Sequence, residues 1–424
     1  MSPPSVQNER RLLLRRLSAF GALPLVGSIA PLFVLPVISR IVDPQEWASL
    51  LSCQAIGSIA GLLILSGWGV NGQAFVAAAS SRPTRAAVYW ASVRSRLALS
   101  VVIVPVAVIV GLAVARGTDS FTSSLMVLST AWSGFTLSWF AIGCGNANLA
   151  LRYDLVPRLA ATVSSAVLIW TTHQVWIYPL VLIVSLTIGL LSFHRTEFGT
   201  WFVTGPVESD AQIARSERSK GAALSVVGAA YAGAPLPVAQ FLGLAGAAYL
   251  ASTDRLYRYA LFTVTTLANA LQEWVLRSSS PRRRSSQMLA IQLHLFLGIA
   301  GGAFLASLGP IVGGWLFGDR VAPTHTICFG YGVAFLCVAV ATPLVRNVLV
   351  PDGKTGLLLF ASLSSGLLGV VLMLIFGLRW GAAGVSGSLA VADLAFLLLI
   401  APHAFSSIKA SERETRVSEG MGNH

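Results

Sequence analysis

The sequence predicts an all-α membrane protein with about twelve transmembrane helices, arranged as two six-helix lobes related by an internal repeat. Composition, the length of the apolar runs and the placement of positive charge carry that expectation. The 424 residues are 55% hydrophobic and 11% charged, with a mean hydropathy of +0.73. Soluble domains carry roughly 25% charged residues, and a core of this size cannot hide so much apolar sequence from water. Lipid is the solvent for most of it. No run alternates as a barrel strand would, so the spans are helices.

In chain order, the apolar runs place spans at 18–39, 47–68, 97–115, 122–142, 159–172 and 178–193 in the first lobe, and at 221–242, 256–275, 289–317, 325–345, 355–378 and 381–403 in the second. The 159–172 run is short and extends into its neighbours. Around the spans lie an N-terminal segment (1–17), a linker (194–220) and a polar tail (405–424), expected to be disordered from Ser406. The first lobe is 18–193 and the second 221–404. Arg10, Arg11, Arg15 and Arg16 before span 1 imitate a signal peptide, but the apolar stretch is too long for one and lacks a small-residue cleavage site, so it is kept as a span.

Charge orients these spans. Of 29 Lys and Arg residues, only Arg40, Arg116, Arg255, Arg258, Arg320 and Arg379 fall on one side; the other 23 lie at the opposite ends. The excess marks the cytoplasmic face and places both termini there. The net charge of +12 is therefore a topology signal, not a nucleic-acid footprint. Arg282, Arg283 and Arg284, between serines, read as an anchor against anionic lipid headgroups.

Several chemistries are disfavoured. No G-x-x-x-x-G-K-[ST] run supports ATP-driven transport, no extramembrane segment suits a soluble catalytic domain, and Asp-x-Asp is absent. Cys53, Cys144, Cys328 and Cys337 form no C-x-x-C pair and read as small hydrophobes, so no metal or cofactor is expected, and no enzyme.

Spans 1 and 7 share a pattern. Span 1 opens at Gly21, passes Gly27 and Pro31, and meets Leu35-Pro36-Val37. Span 7 opens at Gly221, passes Gly228 and Pro235, and meets Leu236-Pro237-Val238. An aromatic, Trp47 or Tyr249, follows in each half. Proline removes a backbone donor and clashes with the preceding turn, so Pro31, Pro36, Pro235 and Pro237 are expected to break these helices. Irregular backbone in lipid must be buried or line a watery cavity. Paired breaks at matching positions point to the pathway of a secondary transporter; the alternative is that membrane helices simply tolerate proline.

Three passages resemble one family. They are Leu35-Pro-Val-Ile-Ser39-Arg40 with Glu46 before span 2, Gly243…Gly246…Tyr249…Asp254-Arg255 at spans 7 to 8, and Leu316-Phe317-Gly318-Asp319 followed by Arg346-Asn347 and by Gly381-Ala-Ala-Gly384-Val. They are similar to the polysaccharide biosynthesis/export family, which includes O-antigen flippases of the Wzx type, within the multidrug/oligosaccharidyl-lipid/polysaccharide flippase superfamily. Trp47 stands where many relatives have Phe-Gly. The resemblance implies a V-shaped two-lobe fold in the bacterial cytoplasmic membrane. It also implies a lipid-linked oligosaccharide on a polyprenyl pyrophosphate carrier, flipped to the outer leaflet by alternating access, with polysaccharide assembly proteins as partners besides membrane lipids.

A pyrophosphate wants sheltered cations, and arginine gives bidentate contacts to phosphate oxygens. Charges inside the bilayer cost roughly 2.5–3.5 kcal/mol each on insertion scales, so each is a functional candidate. Arg255 and Arg258 share a helix face, with Asp254 four residues before Arg258. They read either as a headgroup site or as a self-paired group snorkelling to the interface. Arg40 and Arg94 are further candidates for substrate binding, with interfacial anchoring, which also fits Arg96, as the alternative. Asp254, Glu273 and Asp393 are candidates for ion coupling if burial raises a carboxyl pKa; a paired structural carboxylate is the other reading. Asn269 and Gln272 stand beside Glu273, and His294 reads as a hydrogen-bonded core residue. Two other functions compete. An ion-coupled multidrug antiporter lacks a counter-charge, because spans 1 to 7 have no acidic residue in their apolar interiors. A polymerase or glycosyltransferase lacks an acidic motif and a large outer loop.

Overall fold

Lipid offers the backbone no hydrogen bonds, so a chain this apolar closes its peptide groups within helices. The computed structural model describes residues 31–79, 81–201, 231–277 and 280–421. The 1–17 segment, the start of span 1 with Gly21 and Gly27, the linker from 202 and the start of span 7 with Gly221 and Gly228 lie outside the described residues.

Fourteen α-helices are described: α1 (Pro31–Ile41), α2 (Pro44–Leu65), α3 (Gln73–Ala78), α4 (Arg82–Val114), α5 (Ser120–Ala131), α6 (Ser138–Gly143), α7 (Ala147–Ala150), α8 (Val156–Thr172), α9 (Ile177–Phe198), α10 (Pro235–Phe241), α11 (Ala247–Arg277), α12 (Ser280–Phe317), α13 (His325–Leu344) and α14 (Thr355–Met421). Among the described residues, eight helical stretches are long and apolar enough to cross a membrane. They fall on expected spans 2 to 6 and 9 to 12, and the last stretch, Thr355–Ala410, covers two expected spans. The helix α11 is 31 residues long but is not among the eight. Asp254, Arg255 and Arg258 near its start and Asn269, Gln272 and Glu273 near its end dilute its apolar content.

The chain divides into two units, Met1–Gly233 and Ala234–His424. In the first unit, Asp43 caps α2 by accepting from the Gln45 and Glu46 amides at 2.8 and 2.9 Å, and Pro44 sits where its missing N–H costs nothing. An aromatic core of Trp68, Tyr89, Trp90, Trp139, Phe140 and Phe193 gathers α4, α6 and α9. Its polar ties include the Tyr89 hydroxyl, 2.8 Å from His194 Nε2, and the Trp68 indole, which donates to the Ser95 hydroxyl at 2.9 Å.

In the second unit, α12 and α13 touch backbone to backbone. A Cβ on Gly302 would lie 2.6 Å from the Gly332 carbonyl, and one on Gly332 would meet the Gly302 carbonyl. Small residues permit such approaches in membrane helices. The break between expected spans 11 and 12 is the single residue Gly381, with φ 63° and ψ −147°, so no separate loop intervenes.

The described structure departs from expectation in four places. Span 4 is two helices, α5 and α6, joined by a 3-10 turn at Trp132–Phe135. Span 3 starts early, at Arg82, because the polar stretch expected as a connection is helical; span 5, by contrast, extends into its neighbour as expected from its short run, reaching back to Ala147 through a π-helical turn at Leu151–Leu155. The arginine run 282–284 opens α12 and is not a loop. The tail is helical to Met421, not disordered.

Candidate functional site

Residues Leu250 to Asp254 of α11 are all at most 1% exposed, so Asp254 enters its helix with no water. A buried carboxylate must be paired. Arg258, one turn later, supplies Nε to Oδ2 at 2.5 Å and a second guanidinium nitrogen to Oδ1 at 3.2 Å. The Tyr331 hydroxyl, on α13, points at Oδ1 from 3.5 Å. Tyr257 packs edge-on against Tyr331 with ring centroids 5.1 Å apart. Asp393, half-buried on α14, is within electrostatic reach of Tyr257. One end of the second unit thus holds two carboxylates, two phenols and two guanidiniums, counting half-buried Arg255. The Asp254–Arg258 pair is neutral, and Arg255 gives its helix segment one excess positive charge.

The other expected residues fall elsewhere. Arg40 is exposed and turns back to donate to the Pro36 carbonyl at 2.8 Å, beside the Ser39 hydroxyl at 3.1 Å. Arg94 is half-buried on α4. Glu273 lies on α11, and its side chain is outside the described residues. The helix α1 starts at Pro31 among the described residues and runs through Pro36, and α10 runs from Pro235 through Pro237, so neither Pro36 nor Pro237 breaks its helix; the interruption falls at Ala234, with Pro235 in the first turn of α10 where a missing N–H costs nothing. His294 is fully buried and is held through Nδ1 by the Ala290 carbonyl at 2.8 Å.

A second constellation lies in the first unit, and Arg96 is its centre. This side chain is fully buried on α4. The 3-10 turn in span 4 leaves carbonyls without helical partners, and lipid cannot satisfy them. Arg96 takes up two of them, Gly134 at 3.2 Å and Thr136 at 3.3 Å, while also holding the Ser92 carbonyl and hydroxyl. Its guanidinium lies 5.7 Å from both the Phe135 and Trp139 ring centroids, within cation–π range. No carboxylate lies within 4 Å of it among the described residues. The Thr136 hydroxyl continues the network to Asp154 at 2.6 Å, and Asp154 pairs with Arg158 at 3.0 Å. Sequence reasoning placed Arg96 at an interface. The usable signal was Gly134 inside Trp-Ser-Gly-Phe, a weak point in a run otherwise fit for one helix.

Among the described residues, no three His, Cys, Asp or Glu side chains are placed to hold a metal. No family model matches the sequence. No curated protein matches it at a significant level. Solved structures do match. The lipid II flippase MurJ, in an inward closed conformation, aligns at TM-score 0.69 and 12% identity over 94% of this chain and 90% of that one. The MATE multidrug transporter DinF-BH aligns at 0.63 and 16% over 94% and 96%. A MOP superfamily transporter from Pyrococcus furiosus Vc1, described by the reverse polarity of its binding pocket, aligns at 0.59 and 13% over 94% and 96%. The chain is an all-α, multi-pass membrane protein with the fold of the MOP superfamily transporters.

Proposed function

We propose that this chain is a flippase of the Wzx type. It moves a lipid-linked oligosaccharide on a polyprenyl pyrophosphate carrier from the inner to the outer leaflet by alternating access. The setting proposed is a bacterial cytoplasmic membrane, with twelve spans in two lobes (18–193 and 221–404) and both termini cytoplasmic. The observation that carries this reading is the sign of the charge inside the helices. Arg96 is buried with no carboxylate within 4 Å among the described residues, and on α11 Arg255 adds a positive charge beside the neutral Asp254–Arg258 pair, with half-buried Asp393 of α14 as the cluster's second carboxylate. An anionic headgroup requires cations in a sheltered place, whereas a cationic drug requires an uncompensated carboxylate. In the first unit, among the described residues, Asp154 and Glu197 are paired, Asp43 and Asp119 cap helices, and Glu46 stands half-buried in the first turn of α2. The Pyrococcus transporter, described by the reverse polarity of its binding pocket and a suggested different function, supports a reading in which pocket charge varies within this fold.

Arg255 and Arg258 are the proposed headgroup contacts, with Arg40 and Arg94 as further cations on the substrate's route. Asp254, Asp393 and Glu273 are the proposed ion-coupling carboxylates. Polysaccharide assembly proteins are the proposed partners. Deleting the gene should leave lipid-linked sugar on the cytoplasmic face and reduce surface glycan, and the wild-type gene should restore it. Unchanged glycan with altered drug resistance would favour the ion-coupled multidrug antiporter, whose fold is the same.

A further inference from the structure

The helix α11 has two faces. Tyr257, Val264, Ala268 and Val275 recur at helical spacing and are buried, so they seat the helix on its unit. Turned away from them, Arg255, Tyr259, Phe262, Thr266 and Asn269 form a second stripe, half-buried at its start and exposed at Thr266 and Asn269. Thr266 turns its hydroxyl back to the Phe262 carbonyl at 2.7 Å, but the Asn269 amide reaches off the helix. Hydrocarbon gives such an amide no partner, and polar side chains within a span face a bundle interior or a water-filled cavity. The stripe marks the wet face of α11.

A second cation meets the far end of this stripe. Pro343, near the end of α13, removes a backbone donor. A π-helical turn follows at Val345–Leu349, closed from the Val350 amide to the Val345 carbonyl at 2.9 Å. Such turns are frequent at functional sites. Gln287 of α12 donates to the Asn347 carbonyl at 3.2 Å, and Asn347 is buried, so the turn is fixed from behind. Arg346 is half-buried and donates to Asn269 Oδ1 at 2.7 Å. An amide orients a guanidinium without neutralising it. Among the described residues, no carboxylate lies within 4 Å of Arg346.

We infer that Arg346, oriented by Asn269, is a further contact for the pyrophosphate of the carrier lipid, an assignment that rests on the flippase reading above. Asn269 follows Arg255 by 14 residues, or about 21 Å at a rise of about 1.5 Å per residue. That is roughly two thirds of a hydrocarbon core about 30 Å thick. In the proposed topology Arg346 stands toward the cytoplasmic end of α11 and Arg255 toward the outer end, so the headgroup meets a cation near each end of its passage. Charge selects the ligand. Arginine gives phosphate oxygens paired, charge-assisted donors. A neutral sugar leaves the positive charge unanswered, and a cationic drug is repelled by it.

The test uses the full chain in detergent micelles and native mass spectrometry, with undecaprenyl pyrophosphate, undecaprenol and phosphatidylglycerol as probes. Undecaprenyl pyrophosphate should bind more tightly than either of the others. Its affinity should fall about tenfold or more in Arg346→Gln and Arg346→Ala, as for loss of one charge-assisted hydrogen bond. Arg346→Lys should keep part of it, and undecaprenol binding should not change. Arg346→Gln can still donate to Asn269, so it removes the charge while sparing the fold. Undiminished binding of undecaprenyl pyrophosphate in folded Arg346→Gln overturns the assignment. So does phosphatidylglycerol binding that is equally tight and equally dependent on Arg346, which marks an anchor for anionic lipid. Surface glycan in cells separates the two claims. Glycan that depends on the wild-type gene, without Arg346-dependent pyrophosphate binding, removes this contact and leaves the flippase reading. Arg346-dependent pyrophosphate binding, with glycan unchanged by gene deletion, keeps the contact and removes the transport reading.

Discussion

A guanidinium with no water and no carboxylate partner among the described residues is costly unless its donors find acceptors, and Arg96 finds three carbonyls and the Ser92 hydroxyl. Arg96→Ala would strand the Gly134 and Thr136 carbonyls. Each unsatisfied group costs about 1–3 kcal/mol, so the thermal unfolding midpoint should fall by many degrees. Arg96→Lys should recover only part of the loss, since an ammonium cannot reproduce the fork. Asp119 makes a smaller prediction. Burial opposes its charge, but the Thr122 hydroxyl and amide hold its carboxyl below the ordinary value. With the folded pKa lowered, the cap's contribution is present above the unfolded value near 3.9 and is lost as pH falls through the folded value. Asp119→Ala should cost about 1 kcal/mol at neutral pH and nothing in strong acid, as read by unfolding at both pH values. The Asp254–Arg258 pair was legible in the sequence because its partners stand one helical turn apart. Arg96 was not, because its carbonyls are 38 and 40 residues away and belong to backbone that carries no side-chain signature.

At the scale of elements, close helix contacts and one backbone kink carry the predictions. Gly302→Val should drive α12 off α13 and cost about 1–3 kcal/mol of overpacking, lowering the unfolding midpoint in detergent. Gly381→Ala meets no neighbouring atom within 4 Å, so its cost is the positive φ alone. About 1–3 kcal/mol is the usual charge for such strain, and a larger loss would mean that the kink does more than join two helical stretches. Helix existence was legible from apolar run length, which is why α2, α9 and α13 lie where expected, while α4 starts at Arg82, well before the run expected at 97–115. Their interruptions were not. A 3-10 turn at Trp132–Phe135 keeps the same apolar composition as the helix it replaces, and hydropathy cannot tell them apart. The helical tail was missed for the opposite reason, since polar composition was read as disorder.

For the whole molecule, the charge asymmetry and the recurrence of Leu-Pro-Val in spans 1 and 7 suggested a two-lobed transporter, and solved MOP superfamily structures share the fold. That fold serves both a lipid II flippase and multidrug transporters, so the substrate must be argued from the charges. The most direct measurement is the movement of a fluorescent polyprenyl-pyrophosphate oligosaccharide across proteoliposomes containing this chain, read by an impermeant quencher. Quenching should run well past the half available in protein-free vesicles, and that excess should be lost in the Arg255→Ala, Arg258→Ala double variant. Quenching that stays at the protein-free level with folded wild-type protein would contradict the flippase reading.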